Sequence, residues 1–327
     1  MNTSPSHSPK PAPAPAGRRS PSVGSAGLAL GLLGVLIFSA TLPMTRLATG
    51  TPDAPQLSGG FIAFGRAAVA GLCSVVFLLA TRAPWPHRSD WRLIGLSSAG
   101  AVFGFPLCTS IAMRHVEAVH ASVMLGVLPL ATAIAGAWVH RQRPSGTFWA
   151  CSALGSVLVI GFAITHSGGS GLRLSEADVL LLIAMAWGAT AYVAGARLAG
   201  RMRADHAICW ALVVALPVTL PAAYLTQPTS AIAPAAWAAF GYVSLFSMWL
   251  GFFAWYRGLV LGGTVRVSQL QLIQPFLSMV LAIPLLGERL DATTLAFGLA
   301  VIVTVFVGRR QPVHALPPPV SRGDTPS

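Results

Sequence analysis

Ten apolar runs, each close to the length of a membrane span, constrain the fold of this chain more than any other feature of its sequence. An α-helix needs about 20 apolar residues to cross the hydrocarbon core of a bilayer. Only 9% of the 327 residues are charged, whereas a soluble domain carries about 25%. The sequence therefore predicts an all-α integral membrane protein with ten transmembrane helices, at residues 26–48, 58–80, 91–113, 118–140, 147–165, 177–198, 206–226, 234–257, 263–286 and 292–308.

The chain also contains an internal repeat with an offset of 146 residues. Residues 112–150 align with residues 258–296, and this alignment pairs Pro129 with Pro275. Five helices in each copy force the second copy into the opposite orientation, because the number is odd. We therefore predict two inverted five-helix repeats, at residues 26–166 and 177–308, between disordered cytoplasmic tails at residues 1–25 and 309–327.

Basic residues are distributed unevenly between the turns on the two sides. With the amino terminus inside, the inner segments hold fifteen Lys and Arg residues, and the outer segments hold Arg46, Arg114, Arg173 and Arg289. Turns rich in Lys and Arg stay in the cytoplasm. The pattern predicts a multi-pass protein of the bacterial inner membrane with both termini in the cytoplasm.

The formal net charge of +12 does not indicate a nucleic-acid partner. The arginines lie in short connections between apolar runs, and no basic stripe with interleaved aromatic residues is present. The partners that we expect are the lipid bilayer and a small-molecule solute. The sequence leaves open whether the chain forms a homo-oligomer.

Metal, cofactor and enzyme signatures are missing from the sequence. Its four cysteines lie singly within apolar runs, without histidines at ligand spacing, so we predict no metal and no cofactor. There is no HExxH motif, phosphate-binding loop or Ser/His/Asp set, so we do not expect an enzyme. All nine acidic residues lie in tails, turns or helix ends, which also argues against ion coupling through a buried carboxylate. Among the nine acids, Asp178 is the one for which this argument against a role in ion coupling is weakest.

The ninth apolar run carries polar groups near its middle. An unpaired amide in hydrocarbon costs several kcal/mol, so Gln271 and Gln274 should face protein or water. Helical spacing places these five residues on one face: Thr264, Ser268, Gln271, Pro275 and Ser278. We interpret this face as the wall of a solute cavity. The alternative, in which these residues join helices by close packing, stays open at this stage.

Four further residues complete the predicted solute site. Arg66 is the one cation that counting places inside a span, in the second run. It either orients an anionic group of the solute or ties its helix to neighbouring helix ends. Thr41 lies in the first run, which Pro43 interrupts, as Gly188 interrupts the sixth. The full set of predicted substrate-binding residues is Thr41, Arg66, Trp187, Trp249, Gln271 and Gln274.

Two basic residues are candidates for a gate. His120 and Arg266 occupy equivalent positions in the two repeats, and inverted symmetry places them at opposite mouths of the bundle. The alternative is that both side chains reach out to the membrane interface. Glu288, in the turn before the tenth helix, is expected to cap that helix or to pair with Arg289.

Three segments resemble the EamA family of the drug/metabolite transporter superfamily. These are Trp-Tyr-Arg-Gly-Leu at residues 255–259, Ser268 placed six residues before a Gln-Pro pair, and Leu-Gly-Glu-Arg-Leu at residues 286–290. The resemblance covers about residues 26–308. The first repeat departs from it, because residues 140–144 read His-Arg-Gln-Arg-Pro where the family often repeats the glutamate.

The resemblance implies a secondary transporter that moves small metabolites by alternating access, outward rather than inward, with amino acids as the leading solute class. Three alternatives remain open from the sequence. They are uptake of a vitamin- or nucleoside-like metabolite, a membrane scaffold or sensor that has lost transport, and a lipid-processing membrane enzyme.

Overall fold

The structure is a computed structural model of the chain. It describes residues 23–126, 128, 131–132, 134–135, 142–144, 146–166, 175–262, 267, 269–289, 291–309 and 313–315. The two predicted tails lie almost wholly outside the described residues.

Helices dominate the described residues in both predicted repeats. The first repeat contains α1 (Val23–Ser39), α2 (Thr41–Thr49), α3 (Gly59–Ala80), α4 (Trp91–Ser97), α5 (Phe105–Ala112), α6 (Ala118–Leu125) and α7 (Gly146–His166). The second contains α8 (Glu176–Ala199), α9 (Ala204–Leu225), α10 (Pro234–Tyr242), α11 (Gly251–Gly262), α12 (Gln274–Leu286) and α13 (Ala292–Arg309). Short 3₁₀ segments cover Arg88–Asp90 and Gln269–Ile273.

Six helical stretches within the described part of the chain are long and apolar enough to cross a membrane. They are Ser25–Thr49, Gly59–Ala80, Arg88–Ala112, Glu176–Ala199, Ala204–Leu225 and Pro234–Gly262. Two shorter apolar helices cover Gln274–Leu286 and Ala292–Thr304. These helices make the chain a multi-pass membrane protein, and the count of ten spans stays a prediction.

A small sheet accompanies the helices of the all-α fold. Strand β1 (Gln142–Pro144) pairs antiparallel with β2 (Val313–Ala315). Because a residue before proline is disfavoured in helical conformation, Pro144 keeps Arg143 extended and able to pair.

Prolines determine where two of the predicted spans break. The first span breaks at Ala40, between α1 and α2, because Pro43 has no N–H to donate to the carbonyl of Ser39. In the ninth run, α12 begins only at Gln274, which places Pro275 in the first helical turn, where a missing donor costs least. We expected Gly188 to interrupt α8, but that expectation is wrong because α8 is continuous through it.

The role of Gly188 is close packing instead. A Cβ atom at this position would lie 3.1 Å from Leu128 Cδ1 and 3.2 Å from Phe105 Cδ2. The bare backbone of α8 therefore lets both side chains approach the middle of the bundle.

The repeat extends to local backbone geometry. One π-helical segment covers Ser98–Gly104, between α4 and α5, and another covers Val243–Leu250, between α10 and α11. An offset of 146 residues lays the first segment on the second to within one residue. The third helix of each predicted repeat thus departs from α-helical geometry at the same place.

Small residues let helix α1 approach helix α11 closely. Helix α1 packs along α11, where a Cβ atom on Gly258 would lie 2.6 Å from the backbone nitrogen of Gly31. Such close backbone approach is typical of membrane helix pairs, since apolar side chains gain little by leaving lipid. This pairing joins the first and the second repeat beside the central part of the bundle.

Candidate functional site

A small cavity, called the central cavity below, lies between the two predicted repeats. Its volume is about 40 Å³, and it is lined by Phe38, Thr41, Leu42, Arg66, Ala101, Phe105, Leu125, Gly188, Ala191, Tyr192, Ser247, Phe252 and Gln274. A water molecule needs about 10–15 Å³ of such space. The helices are therefore closed around a space that holds only a few waters.

A smaller space, called the side cavity, lies next to the central cavity and shares Leu42, Leu125 and Gln274 with it. Its volume is about 10 Å³, and its other lining residues are Ser122, Leu128, Gln271, Pro275 and Ser278. The polar face predicted for the ninth run thus faces this space through Gln271, Pro275 and Ser278. Thr264 and Ser268, which we placed on the same face, lie outside the described residues.

Arg66 carries its charge into the central cavity from the middle of α3. The residue is only 2% exposed, and its Nε and Nη1 atoms have no hydrogen-bond partner in the part of the chain that the structure describes. Arginine stays protonated in proteins. An uncompensated buried charge costs several kcal/mol, so this guanidinium is incomplete without an anion.

Thr41 joins the two repeats at the wall of the central cavity. Its hydroxyl is hydrogen-bonded to the hydroxyl of Ser247 over 2.8 Å, and both residues are buried. The helix break at Ala40 places Thr41 at the start of α2, while Ser247 comes from the second π-helical segment. This pair is a donor and acceptor group that a solute can compete for.

The two glutamines occupy different parts of the site. Gln271 is 3% exposed, and its Nε2 atom has no hydrogen-bond partner among the described residues. Gln274, the first residue of α12, lines both cavities. Together they supply amide groups along the boundary between the two spaces.

The two predicted tryptophans lie away from both cavities. Trp187 is 38% exposed and covers Gly104, where a Cβ atom would collide with the indole ring. Trp249 packs between Phe77 and Phe253, with ring centroids 6.0 and 5.1 Å away. Neither indole lines the central cavity or the side cavity, so the structure does not bring them to the predicted site.

Other aromatic rings line the central cavity instead, namely Phe38, Phe105, Tyr192 and Phe252. Phe105 and Tyr192 lie in apolar runs among many aromatic residues, and the sequence does not say which of these face lipid. We did not predict Phe38, Phe252 or Ser247 as site residues from the sequence. The internal repeat is the one sequence feature that relates Ser247 to the site, because its offset of 146 residues pairs Ser247 with Ala101, which lines the same cavity.

The repeat gives the site one apolar and one polar wall. Its offset of 146 residues pairs Leu125 with Gln271 and Leu128 with Gln274, and all four line a cavity. The first-repeat member is apolar and the second-repeat member is an amide in each pair. A solute between these walls would meet hydrocarbon on one side and hydrogen-bonding groups on the other.

One end of the bundle, called the Glu288 end, opens into a vestibule of about 650 Å³. Gly287 ends α12 with φ of +69°, a conformation that favours glycine, and so directs the chain away from the helix axis. The Glu288 carboxylate then accepts the backbone N–H groups of Ala118 and Val119, each over 2.8 Å. It therefore caps α6 of the other repeat, and not the tenth helix as we expected.

Burial raises the pKa of the Glu288 carboxyl, while the two backbone N–H groups act in the opposite direction. At the same end, Arg46 donates to the carbonyl of Met113 over 2.6 Å and Arg114 donates to that of Leu57 over 2.7 Å. The turns of this end are thus tied together by charged side chains that bond backbone.

The gate candidate His120 contacts the second repeat. Its Nε2 atom lies 2.7 Å from Asp178 Oδ1, and the Asp178 side chain is 1% exposed. Asp178 also forms the capping box of α8 with Ser175. Its proposed counterpart, Arg266, lies outside the described residues.

The opposite end, called the Arg201 end, is held by different contacts between the repeats. Arg201 Nη1 lies 3.0 Å from Asp90 Oδ1, and the Arg201 side chain is 45% exposed. The Thr81 hydroxyl lies 3.2 Å from His206 Nε2. The arginine of this ion pair is in contact with solvent although Asp90 is buried, whereas at the Glu288 end both His120 and Asp178 are largely shielded from solvent.

Known proteins resemble this chain in sequence and in fold. A protein of Bacillus subtilis (strain 168), named Uncharacterized transporter YdeK, is 43% identical over 282 residues, which cover 86% of this chain and 96% of the relative. A crystal structure of a protein with 17% identity superposes with a TM-score of 0.59 over 88% of this chain and 99% of that one, which shows a shared fold. Residues 25–165 and 176–308 each match the EamA-like transporter family. The chain therefore belongs to the EamA-like transporter family of membrane proteins.

Proposed function

We propose that this chain is a secondary transporter that exports small metabolites such as amino acids across the bacterial inner membrane by alternating access. The observation that carries the proposal is the central cavity, which is lined by a buried guanidinium whose Nε and Nη1 atoms have no partner among the described residues. Family membership supports transport as the general activity. The direction and the solute class are our inference.

The orientation in the proposal follows from the basic residues. If both termini are cytoplasmic, the Glu288 end faces the outside and the Arg201 end faces the cytoplasm. A cysteine at Asp53, an exposed residue of the Glu288 end, would then react with a membrane-impermeant maleimide in intact cells. A cysteine at His87, an exposed residue near the Arg201 end, would react only after the cells are made permeable. The reverse result would invert the orientation.

In this mechanism the solute reaches the central cavity when the contacts of the Arg201 end separate. It leaves when those of the Glu288 end separate. The two repeats rock against each other around the site, as in other transporters built from inverted repeats. The closed structure corresponds to the step between these openings, since neither cavity has room for a metabolite.

Recognition of the solute is assigned to Arg66, Thr41, Gln271 and Gln274. Each glutamine amide offers two donors and an acceptor oxygen, which suits a polar solute without requiring a second fixed charge. The loss of one such hydrogen bond costs about 1–3 kcal/mol, or roughly a 5- to 150-fold loss of affinity.

Counterflow of labelled amino acids in proteoliposomes tests the proposal. We expect exchange by the wild-type protein, and roughly 5- to 150-fold weaker solute binding in Gln271→Leu and Gln274→Leu. The matched control is Gln227→Leu, the same change at an exposed position outside the cavities. Equal affinity in all four proteins would make the glutamines helix-packing residues. Absence of exchange in a folded wild-type protein would contradict export of this solute class.

A further inference from the structure

The charges around the central cavity are unbalanced. Arg66 is the one charged side chain among its lining residues, and the described acids lie in turns or at helix ends instead. A helix tie, the structural alternative for Arg66, would need carbonyl or carboxylate partners. Its Nε and Nη1 atoms have none in the described parts of the chain, although the residue is 2% exposed. An anionic group of the solute can supply the partners that these two atoms lack among the described residues.

From this imbalance we infer that the transported solute is a compact amphipathic molecule with a single carboxylate, which binds to Arg66. The inference rests on the proposed function and narrows its substrate class. A carboxylate matches the planar donor pattern of a guanidinium and forms short, charge-assisted hydrogen bonds with it. A second carboxylate would remain unpaired, and an amine cation without a carboxylate would be repelled.

The rest of the lining defines the other half of the solute. Phe38, Phe105 and Phe252 give the central cavity aromatic surfaces, and Leu125 extends the apolar wall. The hydroxyls of the wall are few, and a solute that bonds to Thr41 or Ser247 has to replace the hydrogen bond between them. A sugar or a nucleoside would bury several hydroxyls there without partners, at a cost that an apolar chain or ring avoids. The lining therefore selects a hydrocarbon body.

Zwitterionic amino acids remain within the inferred class. No acid is available for the ammonium group among the described lining residues, but the Gln274 amide oxygen can accept from it. Aromatic faces attract cations as well. The carboxylate is the common requirement, and the amino group is tolerated.

Matched pairs of acids and their carboxamides test the inference because the two members differ only in the group that meets Arg66. The probes are 4-methylpentanoate, 3-phenylpropanoate and leucine, each beside its amide. For the pairs that bind, we expect the acid to bind purified protein about 10- to 100-fold more tightly, measured by thermal shift and by competition in counterflow.

Two variants of Arg66 and one control variant test whether Arg66 causes the preference for acids over amides. Arg66→Gln should remove the preference for acids, and Arg66→Lys should retain part of it, since a lysine keeps the charge but not the planar fork. Arg92→Gln, a matched change at an exposed position in α4, should leave the preference intact. Without ligand, Arg66→Gln should melt no lower than wild type, because a buried unpaired charge is removed, whereas a structural tie would make it melt lower.

Three outcomes overturn the carboxylate site. They are equal binding of acid and amide, binding of none of the three acids, and retention of the full preference in Arg66→Gln. If the arginine variants fail to fold, the comparison of acids with amides in the wild-type protein still decides. Acid-specific thermal shifts without counterflow of any solute would leave the site in place and contradict the proposed transport function.

Discussion

The Glu288 end and the Arg201 end both join the two repeats, but they do so with different physical strength. At the Glu288 end, Asp178 is 1% exposed and meets His120, while the Glu288 carboxylate holds two backbone N–H groups. At the Arg201 end, the ion pair with Asp90 includes an arginine that is 45% exposed. Exposed pairs contribute about 0–1 kcal/mol, whereas breaking a buried pair costs about 3–5 kcal/mol.

This difference indicates which end of the closed protein separates more readily. The Arg201 end should open with a smaller loss, because water already reaches Arg201 and the Asp90 carboxylate, with its side chain 9% exposed, is the one charged group of the pair that has to be rehydrated. The Glu288 end has to rehydrate the buried Asp178 carboxylate and release the two N–H groups that Glu288 accepts. Under the proposed orientation, the cytoplasmic side would open first and the external side would form the harder barrier.

The largest effect is expected from Asp178→Ala. The change removes the contact to His120 and the capping box with Ser175, for a total of about 2–5 kcal/mol. Thermal unfolding in detergent measures this loss. His120→Ala and the double variant complete a mutant cycle, and additive losses would show that the contact between the repeats contributes nothing.

A smaller loss, about 1–3 kcal/mol, is expected from Glu288→Ala. The variant leaves the backbone N–H groups of Ala118 and Val119 without their carboxylate acceptor, although water in the vestibule can accept hydrogen bonds from them. Glu288→Gln should lose less, because its amide oxygen still accepts one N–H group. A cysteine introduced at Ala101 in the central cavity should react with maleimide from the Glu288 side slowest in the wild-type background, faster with Glu288→Gln and fastest with Glu288→Ala. An unchanged rate would separate Glu288 from the opening of this end.

At the Arg201 end, Asp90→Asn should cost less than about 1 kcal/mol. The pair includes a half-exposed arginine, so solvent already screens the attraction. Melting temperatures compared with those of Asp178→Ala measure the difference between the two ends. Equal losses at both ends would refute the asymmetry that we infer from burial.

The sequence was sufficient to predict the environment of the polar residues at membrane depth. Arg66, Gln271 and Thr41 could be placed inside the bundle because a polar group in contact with lipid costs several kcal/mol. The structure buries all three. The same principle predicts the membrane fold, because long apolar helices are stable in the hydrocarbon of a lipid bilayer.

Aromatic residues could not be placed in this way, because lipid and protein interior suit an indole ring equally well. Trp187 and Trp249 therefore depended on helix rotation, which side-chain packing decides. Gly188 was misread for a related reason, since a helix tolerates an isolated glycine when a neighbour fills the space. The partner of Glu288 lies about 170 residues away in sequence, and local pattern contains no information on such a contact.

The smallest effect is a pH dependence at the Glu288 end. Burial raises the pKa of the Glu288 carboxyl above its ordinary value of 4.5. The folded protein therefore binds a proton more readily than the unfolded chain between that value and the raised pKa. Protons bound by the folded state stabilise it, so the stability that Glu288 contributes falls as pH rises through this window.

Glu288→Gln cannot titrate at this position. The difference in melting temperature between wild type and Glu288→Gln should accordingly shift in favour of the variant from about pH 4 upward, and then level off. A difference that shifts toward the wild type over the same range would mean that the bonds to Ala118 and Val119 outweigh burial, and that the Glu288 end closes more tightly when the carboxylate is charged.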